Sequence, residues 1–247
     1  MDQIFPSPVD NVDTVATYAS DHRPRPEDRP WVMCNMISSI DGGIALDGVS
    51  GGLGGPADKD VFRAIRGVAD VIVVGAGTAV AENYRRPQTP ADIQAARSAR
   101  GQSRLPRIAI VSNSLRIEAD HRVFDQTARP ILVTSASAPP KRHAELAEVA
   151  DIVVAGDEAV DLPAALRQLA QLGANVALLE GGPTLNGAFV DADLLDELCL
   201  SFSPMVLGGS GPRVVAASSN AVPQPMRLVR TLHQEHFLFH RYVRERA

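Results

Sequence analysis

From Trp31 onward the chain alternates two hydrophobic patterns. The runs WVMCNMIS, VADVIVVG, RIAIVS, PILVTS, ADIVVA and NVALLEGG are apolar and rich in Val and Ile, which predicts strands buried on both faces. Between them, DKDVFRAIRGV, PKRHAELAEV and LPAALRQLAQLG have helical spacing. In the last of these Leu166, Leu169 and Leu172 form one stripe, and Gly173 suits a C-cap. Such alternation predicts right-handed crossovers and an α/β fold whose mostly parallel sheet has helices on both faces. The end of the chain differs. Asp196 to Ser203 and the segment MRLVRTLHQEHFLFHRYVRE read as strands without intervening helices, the latter as a hairpin turning near Gln234 and Glu235. The sheet is therefore expected to be mixed, with an antiparallel C-terminal edge. Arg85 to Ser103 reads as a polar insertion with a short helix around Ala91 to Ala99.

Before Trp31 the pattern weakens. Val9 to Ala19 suits a short helix, and the proline- and charge-rich Asp21 to Pro30 suits an extended connector. Residues 1–30 are expected to form an extension packed on a main domain of 31–247. A formal net charge of −5 leaves no basic footprint for nucleic acid or an anionic membrane. No apolar stretch approaches the ~20 residues needed to cross a bilayer, and the first residues lack the pattern of a secretory signal. Cys34 and Cys199 lie far apart in apolar runs, which suits buried thiols in a reducing cytoplasm better than a redox or metal role.

Two strands end in glycine turns that lead into helices. In VIVVGAGTAVAEN, Gly75 and Gly77 permit a tight turn and Thr78 offers a hydroxyl at the helix start. Val80 stands where a dinucleotide fingerprint has its third glycine, so a plain strand-to-helix turn remains open for this segment. In NVALLEGGPTLNGAF, the strand ends at Glu180, followed by Gly181, Gly182, Pro183 and Thr184. Free N–H groups at such a helix start attract phosphate. Two such turns together favour a nucleotide-sized anionic ligand. In the glycine cluster IALDGVSGGLGGPADKD, Pro56 opens a helix with Asp58 in its first turn, where it either favours the helix dipole or serves a site. Asp41 before Gly42 is open to the same choice between turn and site. His233, His236 and His240 are read as a polar hairpin rather than a zinc cluster, so no metal is expected.

The order SSIDGGIA, GGPADKDVFRAIRGVADVIVVGAGTAVAEN, LLEGGPTLNGAFV and DELCLSFSPMVLGG resembles the reductase family of riboflavin biosynthesis, in its stand-alone form without a deaminase half. The resemblance implies a dihydrofolate-reductase-like fold, NADPH as cofactor and a homodimer. It implies that Gly77, Thr78 and Glu82 contact the cofactor and that Glu180, Gly181, Gly182, Pro183 and Thr184 form its phosphate loop. By the same resemblance Ser112 and Asn113, helped by Arg116, meet the adenosine ribose and its 2′-phosphate. Asn35, Ser38, Ser39, Asp41 and Asp58 are then expected to face nicotinamide and pyrimidine, with Asp58 and Asp41 as catalytic candidates. After GAGT the family tends to continue x-x-x-D-(D/N)-P towards a substrate-binding arginine. Here the run is AVAENYRRP, with Glu82 for the acid and Arg85 and Arg86 as the candidate arginines. The implied reaction is NADPH-dependent reduction of a phosphorylated pyrimidine ribosylamine to the ribitylamine. A reductase of a pterin or other heterocycle, and a non-catalytic NADPH-binding relative, are the alternatives.

Overall fold

In the computed structural model the six apolar runs form six parallel strands. These are β2 (Trp31–Ser39), β3 (Val71–Gly75), β4 (Arg107–Val111), β5 (Ile131–Thr134), β6 (Asp151–Val154) and β7 (Val176–Leu179). The structure describes residues 1–125, 128–216 and 222–246, so Ala247 at the end of the expected main segment lies outside them. β1 (Asp2–Phe5), β8 (Glu197–Ser203), β9 (Met226–Gln234) and β10 (Phe237–Arg244) complete a sheet of order β1-β9-β10-β8-β2-β7-β3-β4-β5-β6. All pairs from β8 to β6 are parallel, and those among β8, β10, β9 and β1 are antiparallel. The expected mixed sheet with an antiparallel C-terminal edge is the fold found. Glu235 and His236, at φ 51° and 70°, close the β9–β10 hairpin in the left-handed conformation its twist requires.

Strand alternation divides the core. Met33, Ile72, Ile108, Leu132 and Leu178 face one side, where α1 (Thr14–Ala19), α2 (Pro56–Val68) and α5 (Pro140–Ala147) cover them. Val32, Val71, Ala109, Val133 and Leu179 face the other, under α6 (Leu162–Gln171) and α7 (Pro183–Asp191). On α2 the buried stripe is Ala57, Val61, Ala64, Ile65 and Val68. On α6 it is Leu162, Ala165, Leu166 and Leu169, and Leu172 is 56% exposed. The helix ends one residue too early for Leu172 to keep the stripe, and Gly173 turns the chain at φ 93°. α4 spans Ala91–Ala99, as the polar insertion suggested. Both cysteines are buried and unpaired, and burial pushes the Cys34 thiol up to about 12. No described helix is long and apolar enough to cross a membrane.

Residues 1–30 run along the sheet's antiparallel end. β1 pairs with β9, and Asp13 caps α1 by accepting from the Ala16 amide at 3.0 Å. The connector then delivers two arginines to the start of β8. Arg29 makes a bidentate pair with Asp196 at 2.6 and 2.9 Å, and Arg246 reaches the same carboxylate from the C-terminal end. Next along the chain, fully buried Glu197 accepts from Arg23 at 3.0 Å, Arg241 at 2.8 Å and the Trp31 indole at 3.0 Å. Burial alone would raise the Glu197 pKa. The Arg23 and Arg241 charges more than offset it and hold the carboxyl at about 2.

Glu197→Gln removes one of the two carboxylates that Arg23 and Arg241 share and leaves Asp21 alone to balance them, so a loss of about 3–5 kcal/mol is expected in chemical denaturation. A carboxyl depressed in the folded state stabilises fully above its unfolded pKa. In the wild type this contribution is therefore present above about pH 5 and fades as the pH falls towards about 2. The Gln variant should lack that part of the acid dependence, and an unchanged acid transition would contradict the assignment.

Candidate active site

Because β2, β7 and β3 are parallel neighbours, their carboxyl ends bring three loops to one edge. β3 passes through Gly75 into α3 (Ala76–Ala81), β7 passes through Glu180, Gly181 and Gly182 into α7, and β2 leads to α2. The two glycine turns meet. The Gly75 amide donates to the Gly181 carbonyl at 2.8 Å, and the Gly181–Gly182 peptide is cis. Gly181 sits at φ 85°, and a Cβ on Gly182 would lie 2.5 Å from Thr78 Oγ1. The helices α2, α3 and α7 start after Gly55, Gly75 and Gly182, and none has a side-chain cap. Their uncapped starts present positive dipole ends towards the same edge.

Between the loops lies a cavity of about 470 Å³. Of the expected residues, Asn35, Asp58, Thr78, Glu82, Arg85, Glu180, Gly182 and Pro183 line it, joined by Met36, Lys59, Phe62, Arg66 and Tyr84. Sequence reasoning passed over Arg66 and Tyr84, yet they complete the wall. Arg66 donates twice to Glu180, both at 2.7 Å, and the Tyr84 hydroxyl donates to it at 2.6 Å. Burial opposes the Arg66 charge, but Glu180 raises its pKa overall. Burial first and Glu180 second push the Tyr84 phenol well up, so both remain protonated. The Glu180 carboxylate is thus spent on two side chains and stands beside the phosphate-suited turn as its brace. One signal was available: a carboxylate ending a buried strand needs a cation.

Asp58, in the first turn of α2, faces the cavity. Burial raises its pKa, and a hydrogen bond from Ser201 and the nearby Lys59 pull it partly back. Glu82 accepts from the Ser50 amide at 2.8 Å and so ties the 41–55 loop to the end of α3. Other expected residues lie apart. Ser38 and Ser39 are buried in β2. Asp41 accepts from Ser39 Oγ at 2.5 Å and from the Leu207 and Gly208 amides at 3.1 and 2.6 Å, bonds that hold its carboxyl down at about 2. It latches two loops outside the cavity. Ser112 and Asn113 end β4, two strands from β7, and already accept from the Leu115 and Val160 amides. Arg116, Gly77 and Thr184 are exposed, and Arg86 lines an adjoining groove. His240 pairs its Nδ1 with Thr231 Oγ1 at 2.9 Å, and the described residues hold no metal-binding group of three or more His, Cys, Asp or Glu.

Across residues 30–231 the chain matches the model of the RibD C-terminal domain. The chain belongs to the RibD C-terminal domain family. Among relatives, it is 34% identical to the 2,5-diamino-6-ribosylamino-4(3H)-pyrimidinone 5′-phosphate reductase of Methanothermobacter thermautotrophicus, over 76% of this chain and 83% of that one. With the reductase of the same name from Archaeoglobus fulgidus it shares 30% identity over 73% and 83%. Among solved structures, a pyrimidine reductase-like protein from Corynebacterium diphtheriae superposes with a TM-score of 0.81 at 25% identity, covering 96% of this chain and all of that one. The riboflavin biosynthesis reductase of Saccharomyces cerevisiae has the same fold, with a TM-score of 0.67 at 18% identity over 94% and 98%.

The contact between the glycine turns makes a direct test. Gly182→Ala should cost about 1–3 kcal/mol, because a methyl 2.5 Å from Thr78 Oγ1 forces the turns apart. Adding Thr78→Ala removes that oxygen and leaves the Thr78 Cβ at 3.9 Å, ordinary contact. The double variant should therefore recover most of the lost stability in urea denaturation, and additive losses would refute the contact.

Proposed function

We propose that the chain is an NADPH-dependent pyrimidine reductase of riboflavin biosynthesis. Its substrate is 2,5-diamino-6-ribosylamino-4(3H)-pyrimidinone 5′-phosphate or 5-amino-6-(5-phosphoribosylamino)uracil, and its product the ribitylamine. The observation that carries this reading is one cavity walled by two glycine turns, three uncapped helix starts and the half-buried carboxyl of Asp58. Enzymes of this family take hydride from a nicotinamide cofactor. The residues suit one: α7 starts without a side-chain cap, and its amides offer donors to a pyrophosphate. Ser112 and Asn113, farther along the same edge, are the candidates for the adenosine end, and Thr78, Glu82 and Pro183 for the turn nearer the ring. When bound, NADPH supplies hydride to C1′ of the substrate.

The chain's own residues then have three tasks. Asn35, lining the cavity, accepts from and donates to the polar edge of the pyrimidine. The half-buried wall of Met36, Phe62 and Tyr84 limits the access of water to the reacting carbon. Opening the ribosylamine ring leaves a C1′ iminium, and its O4′ takes a proton to become the ribityl hydroxyl. In this reading Asp58, with its raised pKa, gives that proton to O4′ and then stabilises the cation as carboxylate. The balance is one hydride to C1′, one proton to O4′ and oxidised cofactor released.

Supplying the pyrimidine substrate and, separately, a dihydropterin while following NADPH oxidation tests the reading. Turnover of the pterin alone would overturn it. Because Asp58 must be protonated to act, kcat should fall as the pH rises through its elevated pKa. Asp58→Asn should lower kcat by roughly 10²–10⁴-fold and remove that limb of the pH profile.

We also propose a homodimer in the cytoplasm, a compartment that suits two buried free thiols. On the β8–β10 face turned from α2, Leu200, Phe202, Leu238, His240 and Tyr242 are only partly covered, and their rings form a ladder. Phe202→Asp should give a monomer in light scattering if this face carries the contact. An unchanged dimer would place it elsewhere.

A further inference from the structure

The polar insertion returns to the site from behind. α4 packs against the C-terminal end of α2, the helix that carries Asp58 in its first turn and Arg66 in its last. Gly67 and Ile93 meet there, so closely that a Cβ on Gly67 would lie 2.8 Å from Ile93 Cγ2. The last carbonyls of a helix have no partner within it. The chain leaves α2 at Ala69 in extended conformation and the Asp70 amide donates to Val176, so the backbone beyond does not turn back as a cap.

The insertion caps the helix with side chains instead. Arg97 donates to the carbonyls of Ala69 at 2.5 Å, Gly67 at 3.2 Å and Arg66 at 3.4 Å. Arg100 donates to Gly67 at 2.7 Å, and Gln102 to Val68 at 3.1 Å. Every carbonyl from Arg66 to Ala69 is thereby engaged. Arg97 is wholly buried, and among the described residues its hydrogen bonds all end on backbone carbonyls, the fourth being Ser103 at 2.8 Å. Its charge also answers the negative end of the α2 dipole.

These contacts close a ring of constraints. Tyr84 donates to Glu180 just before the insertion, α4 delivers Arg97 to the end of α2, and Arg66 on that last turn donates to the same Glu180. Gly181 and Gly182 follow Glu180 directly. Slippage of the α2 terminus would carry the Arg66 guanidinium off Glu180, at the foot of the glycine turn. The other end of α2 is held separately, by the buried Ala57 and Val61 and by the bond from Ser201 to Asp58.

We propose that Arg97 is a positioning residue for the cofactor end of the site. It acts through Arg66 and Glu180 to hold the Gly181–Gly182 turn in the form that receives a pyrophosphate. The inference rests on the function proposed above, which gives that turn to NADPH.

Arg97→Met keeps the apolar stem and removes every donor. In calorimetry on the full chain it should weaken NADPH binding about fivefold or more, and KM for NADPH should rise by the same factor. kcat and KM for the pyrimidine should stay within about twofold, because the Asp58 end of α2 is anchored independently. Arg97→Lys, which keeps a cation at the helix end, should recover part of the loss. In an Arg66→Met/Glu180→Gln background, Arg97→Met should weaken NADPH no further, although its cost in urea denaturation persists. Additive losses of affinity would overturn the inference, and so would an unchanged affinity in Arg97→Met. Should Arg97→Met not fold, Gly67→Ala applies the same test, since its methyl drives Ile93 and α4 off α2. NADPH affinity should then fall and recover on adding Ile93→Ala, and no fall would overturn the inference. Deuterium exchange needs no ligand: Arg97→Met, or Gly67→Ala in its place, should speed exchange at the Gly181 and Gly182 amides. If it does so and wild type binds no NADPH, the positioning role stands and the reductase reading falls. If wild type reduces the pyrimidine but neither exchange nor affinity changes, the positioning role is refuted and the reductase reading survives.

Discussion

A carboxylate at the end of a central strand must be neutralised or left in water, and Glu180 is not in water. It is 7% exposed, at the point where β7 breaks into the glycine turn. Arg66 from the last turn of α2 and Tyr84 from the loop after α3 close around it. Replacing one partner would leave an uncompensated buried charge, which is far costlier than the pair is stabilising. The three side chains therefore act as a single fastening between a strand, a helix and a loop. Three walls of the cavity refer back to it: α2 carries Asp58 and Lys59, the loop carries Arg85, and the turn carries Gly182.

Around that fixed point the remaining polar groups manage the longer loops. Glu82 holds the 41–55 loop through the Ser50 amide, and Asp41 holds its other end to Leu207 and Gly208. Gly54 permits Asp58 to stand where it does, since a Cβ there would lie 2.7 Å from Asp58 Oδ2. The glycines of this region thus have different physical reasons. Gly182 and Gly54 yield space to a side chain, whereas Gly181 adopts a backbone conformation that side chains resist.

The parallel core was legible because its strands, the edge strand β6 apart, are buried on both sides and each long helix has one apolar face, so periodicity alone separates them. The hairpin and the 91–99 helix were legible for the same reason. The end of α6 was misjudged at Leu172, because spacing extends a stripe without regard to where Gly173 ends the helix. At the site, the motif turns were visible since glycine and proline act locally. Arg66 and Tyr84 were not, because their value depends on a carboxylate more than 90 residues away in sequence. Asp41 could not be placed by motif, since the amides that engage it come from a loop some 166 positions later.

The paired acids that open β8 bear on the order in which the molecule is built. Arg23 reaches Glu197 across 174 positions of chain, and Arg29 reaches Asp196 across 167. Contacts so remote form only after a long loop has been closed, and such closure slows folding. Asp21 gives Arg23 a local partner, but the carboxylates of Asp196 and Glu197 are added only when β8 arrives, and β8 lies between β2 and β10. A ribosome delivering this chain has therefore produced most of the parallel core before Arg23 and Arg29 can reach the carboxylates of β8.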